Sequence, residues 1–484
     1  MGITRRLLLA SCLAAAGGSA AGCSPTPAAS VTGSASVDVS GSPATRATGG
    51  SFPPGFAWGV ATSAFQIEGS QAADGRTPSI WDAYAGVPGH VADGSTAAVA
   101  CDHYRRWEAD LDLMKQLGIG SYRFSIAWPR VMPGKSGGVN GAGLGFYDRL
   151  VDGLVARGII PVATLFHWDL PVYLQDAGGW ENRDSAGWFV DYAEAVFAKL
   201  GDRVGSWATI NETKIIAQLG YQQGTMAPGK HDPGASGRVM HHLNLAHGRA
   251  VQAFRASGAR GEIGPCLAMA PCYPAGDSVA PEAVARVDLQ ENRLYLDPLP
   301  RGSYPDELEP LGSEFVRGLE SAVRSDDAVV IAAKVDFVGV TYYSPAIIGS
   351  SGPVQRYPVA ANGWQQIYPQ GLKDLLVRIH RDYQAPNIVV LENGVPDAHG
   401  EDPINDSQRI EFLRGHLSAA QQAIAEGVRL TGYHVWSLLD NFEWAQGYTQ
   451  RYGLVHVDFD SQQRTPKASA KWYAKVIAAN ALSV

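Results

Sequence analysis

From Phe52 onward, eight short runs rich in apolar and β-branched residues alternate with stretches of helical periodicity, which confines the chain to an α/β architecture. The runs are Phe56–Gln66, Ser121–Trp128, Ile160–Trp168, Ser206–Asn211, Glu262–Met269, Val335–Tyr342, Asn387–Leu391 and Arg429–Trp436. After the first run, Trp107, Leu111, Met114 and Leu117 fall on one face of a helix that Gly118 stops. Eight such units on about 420 residues suit one (β/α)8 TIM barrel with long βα loops. A doubly wound sheet with fewer strands is the alternative. In a barrel, the residues that do chemistry sit at the C-terminal ends of the strands. No internal repeat interrupts residues 51–484, which read as one domain.

The first 50 residues read differently. Arg5 and Arg6 precede an apolar stretch, Leu7 to Ala16, too short to span a bilayer as a mature helix. Small residues from Gly17 to Gly22 then end at Cys23, so residues 1–23 are expected to be an export signal with a lipoprotein site at Cys23. Cys12 is a second candidate for that site, and ordinary secretion or the twin-arginine route are further readings. Residues 24–50 hold almost nothing but Ser, Thr, Ala, Gly, Pro and Val, which reads as a disordered tether. The expected location is therefore outside the cytoplasm, lipid-anchored or secreted, with the membrane met only through the anchor.

A formal charge of −8 without a basic run argues against a nucleic-acid partner. Cys101, Cys266 and Cys272 remain in the folded part, and Cys266 and Cys272 flank one extended run, too far apart to bridge. No chemistry is assigned to them. His241, His242 and His247 invite a metal reading, but no two are four apart and no HExxH is present. Asp440 and Asn441 lack further oxygen ligands nearby for calcium. No metal and no cofactor is expected.

Two glutamates stand out. Glu212 in TINET and Glu392 in VVLENG each end a strand-like run, at positions where a barrel would bring them to one cleft. Two carboxylates there are what glycoside hydrolysis requires: one holds a proton for the departing oxygen, the other meets the positive charge developing on the sugar carbon. Taken alone, Glu212 could cap a helix, and Asn393-Gly394 could be a plain turn. Twelve tryptophans, several near these motifs, supply flat faces suited to sugar rings.

Around that pair the chain resembles glycoside hydrolase family 1, the β-glucosidase type. The resemblance is carried by FAWGVATSAFQIEG (Phe56–Gly69), SIWD (Ser79–Asp82), DHY (Asp102–Tyr104), YRFSIAWPR (Tyr122–Arg130) and FHWDLP (Phe166–Pro171). WSLLDNFEW (Trp436–Trp444) and RYGL (Arg451–Leu454) continue it, so it covers Phe52 to about Tyr473. It implies a retaining exo-β-glycosidase on a β-glycoside or oligosaccharide, with glucose first and galactose or fucose as side activities. It makes Glu212 the acid/base and Glu392 the nucleophile. Arg123 and Tyr343 would hold that nucleophile, and Asn211 would reach the sugar 2-hydroxyl. Gln66, His167, Trp436, Glu443 and Trp444 match positions that read or stack the cleaved sugar, and Trp364 resembles a platform on the leaving-group side. Retention of Trp444 argues against 6-phosphosugars.

Two positions depart from the family pattern. Thr213 stands where Pro is usual, and Thr341 where Asn is usual; a threonine reaches less far and has no amide donor. A transglycosylase, or a sugar-binding lipoprotein without turnover, are the alternative functions.

Overall fold

A computed structural model describes residues 50–134, 138–400 and 402–483, so the expected signal and nearly all of the expected tether lie outside the described residues. Eight parallel strands close a barrel in sequence order: β1 (Ala57–Ala61), β2 (Ser121–Ser125), β3 (Ile160–Phe166), β4 (Ser206–Asn211), β5 (Glu262–Ala268), β6 (Val338–Thr341), β7 (Ile388–Asn393) and β8 (Leu430–Trp436), with β8 pairing β1. Each strand falls within, or within two residues of, one of the eight apolar runs. The doubly wound alternative is set aside, because the sheet has no free edge.

The principal outer helices are α1 (His103–Gln116), α2 (Gly141–Ala156), α3 (Ser185–Leu200), α4 (Pro233–Ser257), α5 (Ser313–Ala322), α6 (Pro369–Tyr383), α7 (Ser407–Ala425) and α8 (Ala468–Ala479). Their apolar faces and the outward side chains of the strands form one continuous core. A smaller cluster, Val162, Ala208, Cys266, Phe337, Val389 and Leu391, fills the barrel itself. Side chains plug the lumen, so a ligand can enter only at the mouth.

Two expectations change in detail. The run Phe56–Gln66 is not one strand: β1 stops at Ala61, and Gln66 lies on a short helix, Ala64–Ile67. β3 ends at Phe166, which leaves His167 and Trp168 in the loop beyond it. The long loops carry a small sheet of their own, Cys272–Pro274 with Ala346–Gly349 and Gly352–Pro353. Its register comes from pairing between distant loops, which local composition does not encode.

Candidate active site

The mouth of the barrel is built where strand register slips. Val389 and Leu391 face the lumen, so strict alternation would send Glu392 outward. The ladder between β6 and β7 shifts between Val390 and Glu392, and that between β4 and β5 shifts between Ala208 and Asn211. Such irregularities re-aim side chains. Here they turn Glu392 and Asn211 toward the same space. Glu212 follows β4 with φ +53°, a left-handed conformation that is uncommon for a residue with a side chain. Gly394, expected to mark a turn, serves close packing instead: a Cβ there would lie 1.9 Å from the carbonyl oxygen of Trp436.

Arg123 organises the floor of the site. It is fully buried and donates to Glu392 Oε1, to Asn211 Oδ1 at 2.7 Å and to Thr164 Oγ1 at 3.0 Å. Tyr343 donates to the other carboxylate oxygen, Glu392 Oε2, at 2.9 Å. Both oxygens of Glu392 are thus held, one by a cation and one by a phenol. A carboxylate so placed is fixed in direction and available as a nucleophile.

Glu212 lives in another environment. Burial first, and then the negative charge of Glu392, push its carboxyl up to about 8. Opposing these are a hydrogen bond donated by Thr341 Oγ1 to Glu212 Oε1 and the positive charges of Lys214 and Arg123. Lys214 is itself paired with Glu291 at 2.9 Å. The two carboxyls therefore differ in the way an acid and a nucleophile must differ. Thr341, which reaches less far than the usual Asn and has no amide, still donates to Glu212 through its hydroxyl, and on β6 it pairs with Ala268 of β5 and Glu392 of β7.

The remaining sugar-reading candidates converge on the same cleft. Asn211 Nδ2 donates to His167 Nε2 at 3.0 Å, which leaves the imidazole proton on Nδ1. That Nδ1 is buried and has no protein partner among the described residues, so it is placed to donate to a ligand. Burial, with the charge of Arg123, holds His167 well below its ordinary value and keeps it neutral. Since Arg123 and the Cys266 thiol (3.1 Å) occupy Asn211 Oδ1, Asn211 can offer a ligand only an N–H. Gln66 Nε2 donates to Asn441 Oδ1 at 3.0 Å and lies 3.4 Å from Glu443 Oε2. Burial, then Glu392 and Glu212, push Glu443 up to about 8.

Aromatic rings wall the cleft. His167 lies 6.0 Å from Trp436 and 5.8 Å from Trp444, near-parallel to both, while Phe65 stacks behind Trp444 at 5.8 Å. Trp364 is half-buried, with its ring 6.3 Å from that of Tyr343. Thr164, Cys266 and Asn441 complete this network and were not legible in the sequence. Only strand register or a long-range loop contact brings each to its partner.

The three histidines that invited a metal reading have separate surroundings. His241 contacts Tyr304 and Asp327, His242 the Trp180 carbonyl, and His247 the Thr209 hydroxyl. Cys101, Cys266 and Cys272 are free thiols. Among the described residues no cluster of three His, Cys, Asp or Glu side chains could hold a metal ion, and no helix is long and apolar enough to cross a membrane.

A plugged eight-stranded barrel with two differently held carboxylates at its mouth, ringed by tryptophans and amides, defines a glycoside hydrolase. Comparison with known proteins gives the family. The model for Glycosyl hydrolase family 1 matches residues 48–482, and the chain belongs to that family. It is 44% identical over 444 residues to β-glucosidase A of Acetivibrio thermocellus, covering 89% of this chain and 98% of the relative. A bifunctional β-D-glucosidase/β-D-fucosidase of Bifidobacterium breve is 42% identical, covering 88% and 98%. The solved family 1 β-glucosidase of Thermotoga maritima superposes with a TM-score of 0.84 at 42% identity, covering 90% of this chain and all of that one.

Proposed function

We propose that the chain is a retaining exo-β-glucosidase in which Glu212 is the acid/base and Glu392 the nucleophile. The observation that carries this is the asymmetry of the pair. Arg123 and Tyr343 grip both oxygens of Glu392, whereas burial and the Glu392 charge keep Glu212 protonated. In the first step a Glu392 oxygen bonds to the anomeric carbon as the glycosidic bond breaks. The Glu212 proton passes to the departing oxygen. Conversion of Glu392 to a neutral ester removes the repulsion that held the Glu212 proton, so Glu212 ionises. It then takes a proton from water as the water oxygen attacks the anomeric carbon and Glu392 leaves.

Asn211 donates toward the sugar 2-hydroxyl, while His167, Gln66 and Glu443 read the other hydroxyls of the terminal sugar. Trp436 and Trp444 cover its apolar face, and Trp364 lies on the leaving-group side. Glucose is the primary sugar, with fucose and galactose accepted. The dual activity in the name of the Bifidobacterium relative supports the fucose side. The test is hydrolysis of p-nitrophenyl β-D-glucoside by parent and Glu392→Gln proteins, with the anomer of the product read by NMR. Turnover giving the β-anomer, lost by roughly three or more orders of magnitude in the variant, is expected. Sugar binding with no turnover of any β-glycoside would make it a sugar-binding protein instead.

The apolar stretch Leu7–Ala16, the small residues Gly17–Gly22 before Cys23 and the Ser/Ala/Gly/Pro segment after it support an exported, lipid-anchored protein. Expressed with its full leader in a bacterial host, it should partition with membranes and incorporate labelled palmitate. Cys23→Ala should abolish both, and unchanged membrane recovery of that variant would rule out anchoring at this residue.

A further inference from the structure

Thr341 lies on the last residue of β6, opposite Glu392, and is 1% exposed. Its hydroxyl has two acceptors in reach, Glu212 Oε1 and, at 3.4 Å, the carbonyl oxygen of Leu267. A hydroxyl has one hydrogen, so it can favour only one of the two at a time. The strength of the favoured bond depends on the charge of Glu212. A bond to a carboxylate is about twice as strong as one to a neutral carboxyl oxygen. The Thr341 hydrogen, directed at Oε1 in preference to the more distant Leu267 carbonyl, is held there more strongly as Glu212 loses its proton. While Glu212 is neutral, a donor already directed at Oε1 leaves Oε2 as the oxygen that carries the acid proton.

We propose that Thr341 is a positioning residue for proton delivery: its hydroxyl fixes the acid proton of Glu212 on Oε2 and tightens onto Oε1 as that proton leaves. This rests on Glu212 being the acid of the reaction. The tightening bond stabilises the transition state of the first step, because Glu212 becomes a carboxylate there. The proton goes from Oε2 to the glycosidic oxygen, the bond from that oxygen to the anomeric carbon breaks, and Glu392 forms the new bond. No further reactant enters. The other groups whose charge bears on Glu212 are Glu392 and Glu443, Arg123 and Lys214, and the phenol of Tyr343 and thiol of Cys266. All are unchanged by a substitution at Thr341, so a shift on substitution reports the hydroxyl.

The experiment compares parent, Thr341→Val and Thr341→Ser on two substrates, an alkyl β-D-glucoside that needs full protonation of its leaving group and dinitrophenyl β-D-glucoside, which needs little. Valine keeps the shape of threonine and removes the donor. The expected result is that Thr341→Val lowers kcat/KM about ten-fold on the alkyl substrate and less than about three-fold on the activated one, while the basic limb of its pH profile rises by about one unit. Thr341→Ser should restore both. Equal losses on the two substrates with an unmoved basic limb would overturn the proposal, since they would mean packing alone. So would an unchanged Thr341→Val enzyme. Glu212→Gln, run alongside, separates the two readings: if it spares the alkyl substrate, the assignment of Glu212 fails, and the Thr341 proposal with it.

Discussion

At the scale of single residues, function comes from carboxyls kept apart in charge. Glu212 is raised by burial and by Glu392, so its neutral form persists through neutral pH and is lost as pH rises through its raised value. The basic limb of kcat/KM should therefore report Glu212. Glu212→Gln should abolish that limb and slow alkyl glucosides by roughly 10²–10⁴-fold. An activated aryl glucoside should lose far less in the first step, and added azide should speed release of the sugar. Glu443 carries a different consequence. Burial raises its carboxyl in the fold from an ordinary 4.5 to about 8, so the neutral form contributes stability in full below 4.5, and that contribution is lost as pH rises through about 8. Glu443→Gln keeps the neutral shape at every pH. It should stabilise the fold at pH 9 by at least about 1.4 kcal/mol relative to its effect at pH 4, measured by denaturant unfolding, while weakening glucose binding. A site that binds hydroxyls with a buried acid holds that acid at a cost in stability.

At the scale of elements, the site depends on how the loop after β8 is anchored. That loop carries Asn441, which holds Gln66, and Glu443. Its anchor is Asp440, completely buried, which takes Lys467 at 3.0 Å, Arg451 at 3.1 Å and the Gly453 N–H at 2.9 Å. Burial alone would raise Asp440, but Lys467 above all, with His456 and Arg451, holds it well below the carboxylate range. Lys467 also grips Asp397, which pairs with Arg409, so one ionic chain joins the loops after β7 and β8 to the start of α8. Lys467→Met should leave buried Asp440 and half-buried Asp397 without their shared cation. The expected loss is about 3–5 kcal/mol in denaturant unfolding, with KM for glucoside rising as Gln66 and Glu443 lose register. What could be read in the sequence divides along the same line. Strands buried on both faces leave apolar runs of the right length, so all eight were visible, and Glu212 and Glu392 were visible as the polar residues that end two of them. A bulge moves a side chain by one register step without any change of composition, so the turning of Glu392 into the mouth left no mark. Nor did Cys266 beside Asn211 or Lys467 beneath Asp440, whose partners lie far away along the chain. Thr341 was visible as a departure, but the partner of its hydroxyl was not, because the register around it was unknown.

At the scale of the molecule, the barrel is closed twice, once by β1 against β8 and once where the segment before β1 meets the segment after α8. Ser51 bridges Ala481, Phe52 donates its N–H to the Asn480 carbonyl at 2.9 Å, and Asn480 Nδ2 returns a bond to the Phe52 carbonyl at 2.7 Å. The Phe52 ring is 2% exposed and lies 4.8 Å from Phe56 and 4.6 Å from Trp58. This strap enters β1 at its N-terminal end, opposite the mouth that holds Glu212 and Glu392. Binding and stability should therefore separate cleanly. A protein beginning at Gly50 keeps every one of these contacts and should match the full chain in Tm and in kcat/KM. One beginning at Gly55 loses the Phe52 ring and both backbone ties, and should be less stable by roughly 3–5 kcal/mol, the usual cost of removing a buried phenylalanine. Its KM at a temperature well below unfolding should be unchanged, because the mouth is held by the loops after the strands. A raised KM in that truncated protein would show that the closed end of the barrel sets the geometry of the open one.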